Sequence, residues 1–527
     1  MDVTSLVIKI AFVVVFFAVM IVIGVVTRKK ANSVEGFVLG GRSAGPWLTA
    51  FGFGTSYFSA VVFIGYAGQF GWKYGVASTW IGIGNAVIGS LLAWIVLGRR
   101  TRVMTKHLNS KTMPEFFGKR FDSKALRITA ALISFIFLIP YTSSVYNGLS
   151  RLFNMAFNID YKICIIVMAA LTCIYVILGG YMATVVNDFV QGIIMLFGIT
   201  AVVFSVLDNN GGFINALMTL SKQESDIAVT SGMQGAFTSF FGPDPLNLLG
   251  VIVLTSLGTW GLPQMVGKFY AIKDEKSVKA GTVISTVFAF IVAGGCYFLG
   301  GFARLYKDNP DIYKEDKSVL FDSIIPTMLK GLPDILLGVV IVLVLSASMS
   351  TLSSLVLTSS STVTLDLVDQ IKPKANVDKK KKEKTQLITM RLLLVFFIVV
   401  SVILSLDPPT FIAQLMGYSW GALAGAFLAP FLWGLYWKKT TKISVWVCFI
   451  FGVGFTVANM LLKFIESPIN AGAVTMVAGL VIVPLVSLIT PKLAGDKVDG
   501  IFSCYDEKVT VEKRYSLPEN APEDEKD

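Results

Sequence analysis

The chain has 527 residues, 54% of them hydrophobic and only 15% charged, with a mean hydropathy of +0.70. A soluble protein carries about 25% charge, so the composition excludes a water-soluble globule of this size and points to an all-α polytopic membrane protein. The net charge of +11 sits in short loops between apolar runs, which reads as membrane topology rather than as a nucleic-acid surface.

A membrane helix needs roughly 20 predominantly apolar residues, and about thirteen stretches qualify. In chain order they lie near 6–27, 46–70, 78–98, 125–153, 161–180, 185–207 and 246–270. The remainder lie near 280–304, 333–366, 388–406, 410–437, 443–463 and 470–490. The first run, Leu6 to Val26, is long enough to span and lacks a small-residue cleavage pattern, so it reads as a span and not a cleaved signal.

The second candidate carries Gly52 and Gly54 followed by Thr55 and Ser56. Each glycine costs about 1 kcal/mol in a helix interior, so an interruption is expected there. The seventh carries Gly258, Gly261 and Pro263, and the proline removes a helix hydrogen bond. These two interruptions open two successive groups of five candidates. Paired interruptions at matching positions point to an inverted-repeat transporter; the alternative is glycine used for close helix packing. The ninth candidate is rich in hydroxyls, from Ser346 to Ser354 and again from Thr358 to Thr362. Positions 347, 350, 351 and 354 share one helical face. Hydroxyls facing freed carbonyls would make a neutral oxygen cage suited to a hard cation such as Na+, although Ser and Thr in such helices often only bond to the preceding turn. Asp188, at the edge of the sixth candidate, reads either as a functional ionisable group or, with Asn187, as a helix N-cap.

Lysines and arginines orient the chain. Arg28, Lys29, Lys30 and Arg42 fall in the first connection, and Arg99, Arg100, Arg102, Lys106, Lys111, Lys119 and Arg120 in the third. Lys268, Lys273, Lys276 and Lys279 follow, then Lys372, Lys374 and Lys379 to Lys382, then Lys438, Lys439 and Lys442. This set reads as cytoplasmic, with the N-terminus outside and the C-terminus inside a cell membrane. The Lys379–Lys382 run reads as a solvated loop or a site for anionic lipid. The resulting organisation is a peripheral first helix and loop (1–45), a first repeat (46–207) and an extracellular loop (208–245), then a second repeat (246–437), two further helices (438–490) and a charged, disordered tail (491–527). Five cysteines without CxxC spacing and a single histidine argue against zinc, haem or histidine-based catalysis. Nothing in the spans assembles an enzyme's acid–base or nucleophile set.

Several motifs together carry a family resemblance. They include Gly40-Gly41-Arg42, the Gly54-Thr55-Ser56 stretch, Gly179-Gly180, and Asn187-Asp188 with Gln191-Gly192. Further on come Gly258 to Pro263, Met349 to Ser353, and Gly434 to Trp437. Over about 25–490 the chain resembles the sodium/solute symporter family, whose members carry proline, pantothenate, sialic acid and sugars. The resemblance implies a leucine-transporter-like fold with a five-plus-five inverted repeat, Na+-coupled uptake by alternating access, and no organic cofactor. By match to the family, Na+ is held by the carbonyls of Thr55, Phe58 and Ala347 and the hydroxyls of Ser350 and Thr351. Some relatives bind a second Na+ at the counterparts of Asp188, Ser353 and Ser354. The matched solute positions are Tyr141, Thr259, Trp260, Pro263 and Gln264. The family's proline transporters carry an acidic residue where this chain has Tyr57, a tryptophan at Val61, and aromatics at Thr255 and Thr259. The solute expected is therefore an amino acid or a small carboxylate, moved by a monomer. A solute sensor, or an H+-coupled or facilitative transporter on the same fold, is the alternative.

Overall fold

The computed structural model describes residues 3–157, 159–371, 378–407 and 412–506. They are nearly all helical. The principal helices are α1 (Val3–Thr27), α2 (Pro46–Tyr57), α3 (61–74), α4 (79–107), α5 (Lys124–Phe157) and α6 (Tyr161–Asn209). Next come α7 (Pro245–Gly261), α8 (Pro263–Tyr270), α9 (Glu275–Gly300) and α10 (Asp334–Thr362). The last are α11 (Lys379–Leu406), α12 (Ile412–Tyr436), α13 (Lys442–Leu462), α14 (Pro468–Ile489) and α15 (Gly495–Phe502). Lys372, Lys374 and the tail from 507 onward lie outside the described residues.

Ten described helices are long and apolar enough to cross a membrane, or eleven if the bent pair α7–α8 is one span. The chain is a multi-pass membrane protein. Two features separate this count from about thirteen. The α6 helix covers two candidates in 49 residues, about 73 Å at 1.5 Å per residue, more than twice a bilayer's hydrocarbon core of about 30 Å. Gly180 breaks it at φ 54°, ψ −146°, a conformation open essentially to glycine alone. The α2 helix has only 12 residues, too few to span, and α3 runs on toward α4.

Both expected interruptions exist, with one displaced. The α7–α8 pair bends by 46° at Leu262, whose φ of −82° and ψ of 123° are extended. Pro263 is the cause, because proline pushes the preceding residue out of the helical region while its own fixed φ suits the first position of α8. The interruption expected at Gly52–Ser56 lies instead at Phe58–Ser59, and α2 is regular through Tyr57. Ser59 restarts the chain: its hydroxyl caps the Val61 amide at 3.1 Å and its carbonyl accepts from Val62 and Phe63. The glycines serve close packing instead. A methyl at Gly54 would lie 2.4 Å from the Phe288 ring, and one at Gly258 2.4 Å from the Trp420 ring.

Two cations assigned to loops are buried. Lys268 is 2% exposed and Arg120 is 0% exposed. Arg120 donates to the carbonyls of Gly434 at 2.9 Å and Trp437 at 3.2 Å, satisfying acceptors that the end of α12 leaves open. The start of the tail is also ordered, against expectation. In α15, Val498 and Phe502 are buried, and the Arg120 guanidinium lies 4.9 Å from the Phe502 ring.

Candidate functional site

The break after α2 faces the middle of α10. No backbone N–H from the next turn reaches the carbonyls of Thr55 or Phe58 among the described residues, as expected at a helix C-terminus. Opposite them, Ser350 donates to the Thr55 hydroxyl at 2.7 Å. The Thr351 hydroxyl lies 3.1 Å from the Ala347 carbonyl and 3.3 Å from the Ser56 carbonyl. Phe58 and Ala347 line one small cavity. All five residues matched to the main sodium site are buried, and the structure brings them to one junction. Their oxygens are uncharged, which suits a singly charged hard cation that must also leave.

Asp188 lies within α6, eight residues past the Gly180 break, fully buried. That position excludes the N-cap role. Its Oδ2 is 3.1 Å from Lys268 Nζ on α8. The same ammonium donates to Ser354 Oγ at 3.0 Å, and Ser354 Oγ is 2.9 Å from Ser56 Oγ. Ser353 points elsewhere, donating to the Ser350 carbonyl at 2.9 Å.

The residues matched to the solute site divide. The Tyr141 ring meets the Trp420 ring edge-on at 5.8 Å, and Trp420 stacks on Tyr57 at 6.0 Å. The Tyr141 hydroxyl and the Trp420 ring N–H are buried without hydrogen-bond partners. Thr259 and Trp260 are committed to α4, donating to the carbonyls of Gly89 and Ile88, each at 3.0 Å. Pro263 and Gln264 line a separate cleft with Lys268 and Ser354, and both amide atoms of Gln264 lack partners. A second, larger cleft opens at the other end of α7 beside Asp244 and Lys73.

Sequence reasoning missed the clamps at the two ends. Arg127 donates to Asp366 at 2.6 Å and pairs with Glu115 at 3.3 Å, while Thr112 reaches the other Asp366 oxygen at 2.5 Å. At the opposite end Arg304 pairs with Asp226 at 2.6 Å and lies between the rings of Trp72 and Phe237, at 4.4 and 4.3 Å. These partners are far apart in the chain, so spacing gives no signal for them. Lys268 did give one, as an ionisable residue inside an apolar stretch.

Broken helices packed on a hydroxyl-rich helix, with clefts at both ends, define a secondary transporter architecture. The fold is shared with solved structures: a Na+-coupled sialic acid symporter, substrate-bound and outward-open, aligns with a TM-score of 0.74 over 92% of this chain and 98% of that one, at 16% identity. A nucleobase-cation-symport-1 family transporter in a closed conformation aligns with a TM-score of 0.53 over 88% and 97%, at 12% identity. The chain belongs to the sodium:solute symporter family, whose model matches residues 37–452. The osmoregulated proline transporter OpuE of Bacillus subtilis is 29% identical over 91% of this chain and 94% of its own. The sodium/proline symporter of Staphylococcus aureus is 28% identical over 81% of each.

Proposed function

We propose that the chain is a Na+-coupled symporter that takes up a small zwitterionic amino acid, proline foremost, by alternating access. Family membership carries the coupling to Na+. The junction of Thr55, Phe58 and Ala347 with Ser350 and Thr351 supports one Na+ there, held by neutral oxygens. The names of two relatives support proline. The neutral, unpartnered polar atoms of Tyr141 and Trp420 suit a solute without net charge.

Clefts at opposite ends of the α7–α8 pair support alternating access. In this reading thirteen crossings form a five-plus-five inverted repeat, with 46–207 and 246–437 as the two halves. The N-terminus lies outside the cell membrane, 208–245 is an extracellular loop and the C-terminus is cytoplasmic. A monomer holds the whole site. The H+-coupled alternative needs a carboxylate free to release its proton. Asp188 and Asp366 are each engaged by a cation, which speaks against either as the proton carrier.

Each elementary charge moved down the membrane potential is worth about 2.3 kcal/mol per 100 mV. One Na+ thus supports roughly fiftyfold accumulation of a neutral solute. The test is uptake into proteoliposomes of labelled proline, other amino acids, monocarboxylates and pantothenate, with and without an inward Na+ gradient. Na+-driven proline uptake is expected; uptake of a carboxylate alone, or without Na+ dependence, overturns the reading.

A further inference from the structure

A second coupling cation resting on Asp188 would meet a cation that the structure already places there. The Lys268 ammonium lies 3.1 Å from Asp188 Oδ2, the two side chains being 2% and 0% exposed. It also donates to Ser354 Oγ at 3.0 Å and lies 5.5 Å from the Tyr181 ring. The α2 helix closes the remaining side: a methyl at Gly52 would be 3.3 Å from Asp188 Oδ2 and 3.6 Å from Lys268 Nζ. A carboxylate, a hydroxyl and an aromatic face thus surround one fixed positive charge.

We propose that Lys268 is a resident cation standing in the place of a second Na+, so that the chain binds a single Na+ per cycle. The proposal rests on the Na+-coupled reading above. One carboxylate neutralises one charge. With the ammonium in contact, an added Na+ would leave an uncompensated cation in a buried site, and desolvating such a charge is strongly unfavourable. Lys268 is also bound covalently to α8, between the Leu262 break and Ala271. Its charge stays tethered to α8 by the side-chain stem and is never exchanged with solvent ions. Asp188 Oδ1 has no hydrogen-bond partner. Removing the ammonium would therefore leave both carboxylate oxygens, with the hydroxyls of Ser56 and Ser354, as a hard-oxygen set carrying one negative charge, a set that accepts Na+.

Equilibrium binding of radioactive 22Na+ to the purified full-length protein tests this without knowledge of the solute. Wild type is expected to bind one ion per chain and Lys268→Met two. Lys268→Arg should keep one, because the guanidinium preserves the charge. The pair Lys268→Met with Asp188→Asn should return to one. Variants are compared only if they elute as a single species and retain at least one ion, which reports an intact main site. Two ions on wild type would overturn the proposal, as would a single ion on folded Lys268→Met. Should Lys268→Met not fold, the wild-type count alone decides, one ion supporting the proposal and two refuting it. A wild type that binds no Na+ would instead refute the Na+-coupled reading itself.

Discussion

Two polar centres lie side by side beneath the broken α2 helix, and they are built on opposite principles. At the Thr55–Thr351 junction every oxygen is uncharged, and the partners are joined by single hydrogen bonds of 2.7 to 3.3 Å. At Asp188 and Lys268 two full charges are buried in contact. A neutral junction can admit and release a cation at modest cost, whereas a buried ion pair tolerates neither partner alone. In the function proposed above, the first centre exchanges the ion and the second holds α8 against α6 and α10.

The largest effect should come from breaking the charged centre. Asp188→Asn strands the Lys268 ammonium, and thermal unfolding in detergent should show a loss of about 3–5 kcal/mol, with Na+-driven uptake impaired. Near-normal stability and uptake in that variant would remove the contrast. Adding Lys268→Met to it should recover most of the loss, since deleting both charges spares the desolvation of one. At the neutral centre, Thr351→Ala removes one hydroxyl and should weaken Na+ affinity roughly tenfold, about 1.4 kcal/mol, with little change in unfolding temperature. Unchanged Na+ dependence of uptake would show that the ion binds elsewhere. The smallest effect belongs to the exposed pair of Lys497 and Asp122, 2.6 Å apart and 62% and 63% exposed. Lys497→Ala should change stability by less than about 0.5 kcal/mol. The Lys497 ammonium holds the Asp122 carboxyl below its ordinary range. Whatever this pair adds is therefore present above about pH 4 and fades as the pH falls further, which an acid titration of unfolding would detect. If this pair mattered as much as the Asp188 pair, charge rather than burial would set the cost.

The sequence exposed those features whose cause is local. The Leu262 break was legible because Pro263 alone enforces it, and the hydroxyl face of α10 because helical spacing lines up 347, 350, 351 and 354. The break near α2 was legible in kind but misplaced. Its position is set by Ser59 capping the next turn, while Gly54 and Gly258 answer to Phe288 and Trp420 from distant helices. The role of Lys268 was hidden because counting basic residues treats every lysine near a span's end as solvated. Only the fold brings Asp188, 80 residues away in the chain, to its side. The clamp from Arg127 to Asp366 was hidden for the same reason, spanning 239 residues.

The docked helix α15 has a practical consequence for engineering the molecule. The Gly500 carbonyl accepts from the His107 ring at 3.0 Å, and the Tyr505 hydroxyl reaches the Arg100 and Leu435 carbonyls at 3.3 and 3.2 Å. Residues 495–505 therefore clasp α4 to the end of α12. A purification tag or fluorescent fusion is best attached beyond Asp506, because trimming the chain at the close of α14 would remove the Phe502 ring from beside the Arg120 guanidinium.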